Sequence, residues 1–214
     1  MKAMEWKQNQ TILFIGDSIT DAQRRELPFR PLGQGYVNFA GHLLFARHPE
    51  LDLRIENRGV SGDTTRELKA RWQADCLALR PDVLSVMIGI NDLWRNFKPV
   101  DEIDKTHVPA EEYKRNLRWL LEEAVSCCGC RLVLMEPFYF CRDRQDPMRR
   151  QLDAYLDAVR ALAGEYKAVL VPLQQAYEKL MDRVPENRWA DDRVHPTPWA
   201  HAWIAQQWLS AVDG

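Results

Sequence analysis

Two short segments near opposite ends of the chain carry the residue types of a nucleophilic relay. Near the start, an apolar run at 11–15 leads straight into Gly16-Asp17-Ser18-Ile19-Thr20-Asp21. Gly16 permits a sharp turn, which would leave the Ser18 hydroxyl at the end of a strand. Near the end lies Asp192-Arg193-Val194-His195-Pro196. An acid and an imidazole three residues apart can share a hydrogen bond, and the acid then fixes the ring tautomer and stabilises the imidazolium. A serine hydroxyl is a weak nucleophile at neutral pH and needs such a base within reach. Ser and Asp are also favoured helix caps, so the first segment alone is equally consistent with a plain helix start.

Two further segments follow apolar runs. Asn57-Arg58-Gly59-Val60-Ser61-Gly62-Asp63-Thr64 places two glycines ahead of a helical stretch, where backbone N–H groups are open to an anion. Gly89-Ile90-Asn91-Asp92 places a side-chain amide where it could donate into a cleft. Either could be ordinary turn chemistry when taken singly. Of the five histidines, His195 alone combines an acid three residues before it with a proline directly after it. His42, His48, His107 and His201 read as surface or helix positions.

The elements that must position these groups alternate along the chain. Short, nearly continuous apolar runs at 11–15, 53–56, 83–88, 132–135 and 168–171 read as strands buried on both faces. Amphipathic stretches at 35–47, 64–79, 110–125, 147–165 and 197–212 read as helices. In the last, Trp199, Trp203 and Trp208 recur at helical spacing and read as core. Strand followed by helix, repeated, predicts an α/β fold with a parallel sheet and right-handed crossovers. With no repeat, low-complexity tract or linker, residues 1–214 read as one domain. Ligands of such sheets bind beyond the carboxyl ends of the strands, where all four segments fall.

Composition narrows the function. The net charge of −2, with no basic stripe, gives nucleic-acid binding no electrostatic support. Arg142, Arg144, Arg149 and Arg150 are interrupted by acids and read as a solvated surface. No segment is apolar and long enough for a membrane span or a signal peptide. Cys127, Cys128 and Cys130 lie just before an apolar run and read as buried free thiols, with no second pair at metal-site spacing. Together these features predict a cytoplasmic protein.

The four segments, in this order and over nearly the whole chain, resemble the SGNH hydrolases, also called the GDSL family. The resemblance implies a flavodoxin-like three-layer α/β/α sandwich with a five-stranded parallel sheet in the order 2-1-3-4-5. It implies Ser18 as nucleophile, His195 as base and Asp192 as its orienting acid. It also implies an oxyanion hole made by the Ser18 N–H, the Gly62 N–H and the Asn91 side chain. No metal or organic cofactor is implied. Asp17 and Asp92, beside these residues, read as structural. Within the family, Leu68-Lys69-Ala70-Arg71-Trp72, Trp94-Arg95 and the segments at 33–36, 87–92 and 145–150 resemble bacterial intracellular acetylxylan esterases. That implies a small acetylated carbohydrate as substrate and a homo-oligomer.

Tyr36, Trp94, Tyr139 and Trp189 flank the motif loops, and flat rings there could stack on sugars or merely close the core. Trp94 and Trp189 are the expected site-lining pair. A lipase, lysophospholipase or acyl-thioester hydrolase would share the catalytic residues, with the loop at 138–140 lining an acyl channel. A non-catalytic carbohydrate- or nucleotide-binding module is a more distant alternative. Gly33-Gln34-Gly35 lacks the third glycine and preceding strand of a phosphate loop, and no Gly-x-Ser-x-Gly elbow is present.

Overall fold

The computed structural model describes residues 4–97 and 106–213. Its elements run β1 (Thr11–Gly16), α1 (Ser18–Asp21), α2 (Tyr36–Arg47), β2 (Arg54–Gly59), α3 (Thr65–Ala70), α4 (Trp72–Asp75), β3 (Val83–Met87) and α5 (Ile90–Trp94). There follow α6 (Ala110–Cys128), β4 (Arg131–Met135), α7 (Pro147–Glu165), β5 (Val169–Val171), α8 (Leu173–Glu178), α9 (Glu186–Trp189) and α10 (Pro198–Asp213). The five strands form one parallel sheet in the order β2-β1-β3-β4-β5. This is the expected α/β/α sandwich, with helices on both faces.

The sheet centre is apolar because both its faces are covered. Ile12, Leu13, Phe14 and Ile15 of β1 are wholly buried, as are Val83 and Leu84 of β3. On one face α2 packs against α10, and on the other α6 packs against α7. Phe14 meets Tyr36 of α2 edge-on at 5.8 Å and Trp208 of α10 at 4.9 Å between ring centroids. Each such buried side chain contributes on the order of 1.5–3 kcal/mol. The Trp208 indole N–H donates to the buried Ser85 hydroxyl at 3.1 Å, so the polar residue inside β3 is not left unpaired.

Register sets the site. Gly16 pairs with Gly59 of β2 and with Met87 of β3, so three strands finish level with one another. Strand β2 runs to Gly59, past the expected end at 56, because pairing with β1 continues through Asn57 and Arg58. The expected single helix at 64–79 is instead α3, α4 and a 3-10 turn at Leu77–Leu79. Arg71 leaves helical geometry (φ −103°, ψ 5°) between the first two pieces. Among the described residues, no helix is long and apolar enough to cross a membrane.

Candidate active site

The nucleophile's position follows from two residues before it. A side chain at Gly16 would place its Cβ 2.1 Å from the Met87 carbonyl oxygen, so only glycine allows β1 and β3 to end so close together. The chain then turns at Asp17, whose carboxylate caps α1 by accepting the Ile19 N–H at 3.0 Å. Asp17 is therefore the cap, and Ser18 is the first helical residue. Its Oγ lies 3.0 Å from Nε2 of His195.

The partner residues sit on the loop between α9 and α10. Asp192 Oδ2 is 2.6 Å from His195 Nδ1. Asp192 Oδ1 accepts the backbone N–H of Val194 at 2.9 Å and of His195 at 2.8 Å. The proton on Nδ1 is thus committed to the carboxylate, which leaves Nε2 as an acceptor for the Ser18 hydroxyl. Burial acts to raise Asp192, but the hydrogen bonds from the His195 ring and from the two backbone N–H groups outweigh it and hold the carboxyl below its ordinary value. The loop is anchored from below, where the Phe140 N–H donates to the Arg193 carbonyl at 2.9 Å. Arg193 also pairs with Glu186 at 3.3 Å.

Gly62 and Asn91 lie on neighbouring loops that are tied to these. Gly62 adopts φ +80°, a region that favours glycine. Its carbonyl accepts from Arg95 Nη2 at 2.7 Å. Asn91 is 5% exposed and donates one amide hydrogen to the Asp63 carbonyl at 3.0 Å, which orients the side chain. The Ser61 N–H donates to Asp21 Oδ2 at 3.2 Å, joining the Gly62 loop to α1.

The aromatic residues divide differently from expectation. Trp94 is half-buried, and its ring meets His195 edge-on at 5.6 Å. Trp189 is 0% exposed, packed among Phe140, Tyr177, Trp199 and Trp203. It supports the loop from beneath and offers no free face, which corrects its reading as site-lining. Tyr36 and Tyr139 are also buried and close the core. Trp199, read as core, is instead 46% exposed, with its ring edge-on to Trp189 at 4.7 Å. Cys127 is exposed at the end of α6, while Cys130 is buried. Arg149 is largely covered, paired with Asp153 at 2.7 Å and Glu178 at 2.5 Å, and so departs from a solvated patch. His201, on α10, is buried and accepts the Tyr36 N–H on Nδ1 at 3.2 Å.

The sequence reading missed one organising residue. Arg71 donates to Asp63 Oδ2 at 2.6 Å, Asp75 Oδ2 at 2.8 Å, the Arg58 carbonyl at 2.8 Å and the Gly16 carbonyl at 3.0 Å. One guanidinium thus clamps the carboxyl ends of β1 and β2. Asp17, Asp63 and Asp92 are buried beneath the site. Burial pushes Asp17 up to about 7, against the Ile19 N–H, with Asp92 and Asp63 adding to the rise. Burial also pushes Asp92 up to about 7. Its carboxyl accepts the Thr65 N–H at 3.0 Å and the Thr65 hydroxyl at 2.5 Å, fixing the start of α3. No group of three His, Cys, Asp or Glu among the described residues is arranged to hold a metal ion.

A serine hydroxyl against an aspartate-oriented imidazole, at the carboxyl edge of a parallel sheet, defines a hydrolase of the nucleophilic-serine class. The chain matches the model of the GDSL-like lipase/acylhydrolase family over residues 14–203. It is 40% identical over 213 residues to an acetylxylan esterase of Geobacillus stearothermophilus, spanning 98% of this chain and 96% of that one. It is 24% identical over 199 residues to an arylesterase of Vibrio mimicus, spanning 92% and 86%. The crystal structure of Axe2, an acetylxylan esterase from G. stearothermophilus, superposes with a TM-score of 0.91 at 39% identity, covering 99% of this chain and 97% of that one. LAE5, a hydrolase from the metagenome of Lake Arreo, superposes at 0.89 with 37% identity, covering 97% and 96%. Solved forms of Axe2 include catalytic mutants with a serine, an aspartate or a histidine replaced by alanine. The chain belongs to the GDSL-like lipase/acylhydrolase family, a class of carboxylic-ester hydrolases.

Proposed function

We propose that the protein removes acetyl groups from acetylated xylo-oligosaccharides through an acetyl-enzyme on Ser18. The observation that carries this reading is the 3.0 Å approach of Ser18 Oγ to His195 Nε2. Likeness to the G. stearothermophilus esterase along 98% of the chain supports the substrate class.

His195 Nε2 takes the Ser18 proton as Oγ attacks the ester carbonyl. The oxyanion that forms is met by the N–H groups of Ser18 and Gly62 and the Asn91 amide. Donors placed in advance for such an oxyanion are each worth about 10²–10³ in rate. The imidazolium, steadied by Asp192, gives its proton to the departing sugar oxygen. A water then repeats the sequence and releases acetate. Trp94, edge-on to His195, walls the cleft beside the reacting bond.

A long acyl chain would need an apolar channel. Phe138 and Phe140 are fully buried and packed on each other at 4.5 Å, which favours a short acyl group. Five free cysteines fit a reducing compartment such as the cytoplasm. Leu27, Leu43 and Trp199 are exposed, which fits a homo-oligomer; light scattering measures that state. The substrate test compares acetate release from acetylated xylobiose with hydrolysis of a long-chain p-nitrophenyl ester. The expected preference for the sugar acetate, by at least about tenfold in kcat/KM, is one pocket-sized discrimination. Faster cleavage of the long-chain ester points instead to a lipase or thioesterase.

A further inference from the structure

Beside the loops that carry Ser18 and Gly62 lies a groove of about 410 Å³ lined by Arg24, Arg25, Arg30 and Arg58, in which Glu56 is the single carboxylate. Arg58 Nη2 donates to Glu56 at 3.1 Å, but its Nε is enclosed and has no hydrogen-bond partner. Arg24 Nε donates to the Gly59 carbonyl at 2.7 Å and lies 3.7 Å from Asp21 Oδ1. Arg30 Nε donates to the Arg25 carbonyl at 2.7 Å. Among the described residues, no carboxylate pairs with Arg25 or Arg30. Four arginines therefore line one groove, with Glu56, Asp21 and, on the Arg24 side, Asp75 set against them.

We propose that this groove is an oxyanion site that takes a carboxylate or phosphate group on forked guanidinium donors. Planar guanidiniums match both groups with paired N–H bonds. The like charges already strain one another. Burial and the adjacent Arg25 hold Arg24 below its ordinary value, with Arg58 adding to the fall and Asp21 and Asp75 opposing it. A bound anion relieves that repulsion and leaves the contact between Arg58 and Glu56 in place. The groove is also tied to the catalytic loops. Arg24 holds the last residue of β2, and Asp21, which closes α1, accepts the Ser61 N–H at 3.2 Å. A carboxylate here could belong to an acidic sugar on the same oligosaccharide whose ester lies over Ser18. A free phosphate would use the same donors.

The test is calorimetric titration of the full chain with inorganic phosphate and with glucuronate, against chloride at matched ionic strength. Binding does not depend on the ester-hydrolase reading, so the two fail separately. Saturable binding of at least one anion is expected, weakened at least about tenfold in Arg58→Gln and in the double variant Arg25→Gln/Arg30→Gln. Arg25 and Arg30 are exposed, so the double variant keeps the fold even where Arg58→Gln does not. A second arm compares KM for neutral and uronate-bearing acetylated xylo-oligosaccharides. A lower KM for the acidic substrate, erased in the double variant with kcat on the neutral one unchanged, places the carboxylate on the substrate. Equal KM values with retained phosphate binding identify a free oxyanion. No saturable binding of either anion, or binding indifferent to these substitutions, overturns the proposal. So does a change of oligomeric state in the double variant without anion binding, which makes the groove a protein–protein contact.

Discussion

At the scale of single residues, the chemistry rests on which atoms hold protons. Asp192 is kept below its ordinary value, so it stays ionised well into the acid range and the acid limb of activity belongs to the imidazole. An imidazolium cannot accept the Ser18 proton. Hydrolysis is therefore expected to fall on acidification while Asp192 is still ionised, and a kcat/KM profile that stays flat on acidification contradicts His195 as base. Ser18, Asp192 and His195 were legible in the sequence because hydroxyl, acid and imidazole each stand in an unusual local setting. Trp189 was misread because proximity in sequence to Asp192 says nothing about which way a ring faces. Its neighbours Phe140 and Tyr177 come from other elements. Trp199 shows the converse, since helical spacing marked it as core although its place at the start of α10 leaves it exposed.

At the scale of elements, the strand ends matter more than the strands. The apolar runs and their order were plain in the sequence, since strands buried on both faces need little else. Where β2 ends was not, because Asn57 and Arg58 are strand residues only by pairing with β1. The break between α3 and α4 was hidden too. The pattern at 64–79 stays amphipathic through Arg71, and only the folded chain sets the Gly16 and Arg58 carbonyls where its guanidinium can reach them. Arg71 is a positioning residue, 16% exposed, and its partner Asp63 is 5% exposed. Arg71→Met removes the covered ion pair with Asp63 together with the bonds to Asp75 and the two strand-end carbonyls, which costs about 3 kcal/mol. Thermal denaturation is expected to show a Tm lower by about 6–12 °C, and an unchanged Tm contradicts the clamp. Arg71→Lys restores only part of this, because one ammonium cannot reach four acceptors spread as a fork.

At the scale of the whole molecule, the active edge is built over charge that folding disfavours. Asp92 is raised to about 7 by burial, so between about pH 4 and 7 the folded chain binds a proton that the unfolded chain does not. Its contribution is fully present below pH 4 and is lost as pH rises through 7; Asp17 behaves alike. His201 runs the other way. Burial lowers it to about 4, with His195 adding to the fall, so its contribution is lost as pH falls from about 6.5 to 4. Asp92→Asn removes one carboxyl and leaves the imidazole. Relative to the native protein, this variant is expected to gain stability by about 1–4 kcal/mol between pH 4 and 8 in denaturant titrations. A difference that does not change with pH contradicts a buried, proton-holding Asp92.

The fold's largest consequence is to bring the two ends of the chain together over the sheet, where a hydroxyl from residue 18 meets an imidazole from residue 195 at 3.0 Å. The most direct measurement of what that meeting does is kcat/KM for acetylated xylobiose in the native protein and in Ser18→Ala, with matching circular dichroism and Tm. Loss of the nucleophile is expected to lower the value by at least about 10⁴ while the fold stays intact. A folded Ser18→Ala protein that releases acetate at close to the native rate would contradict the account at its centre.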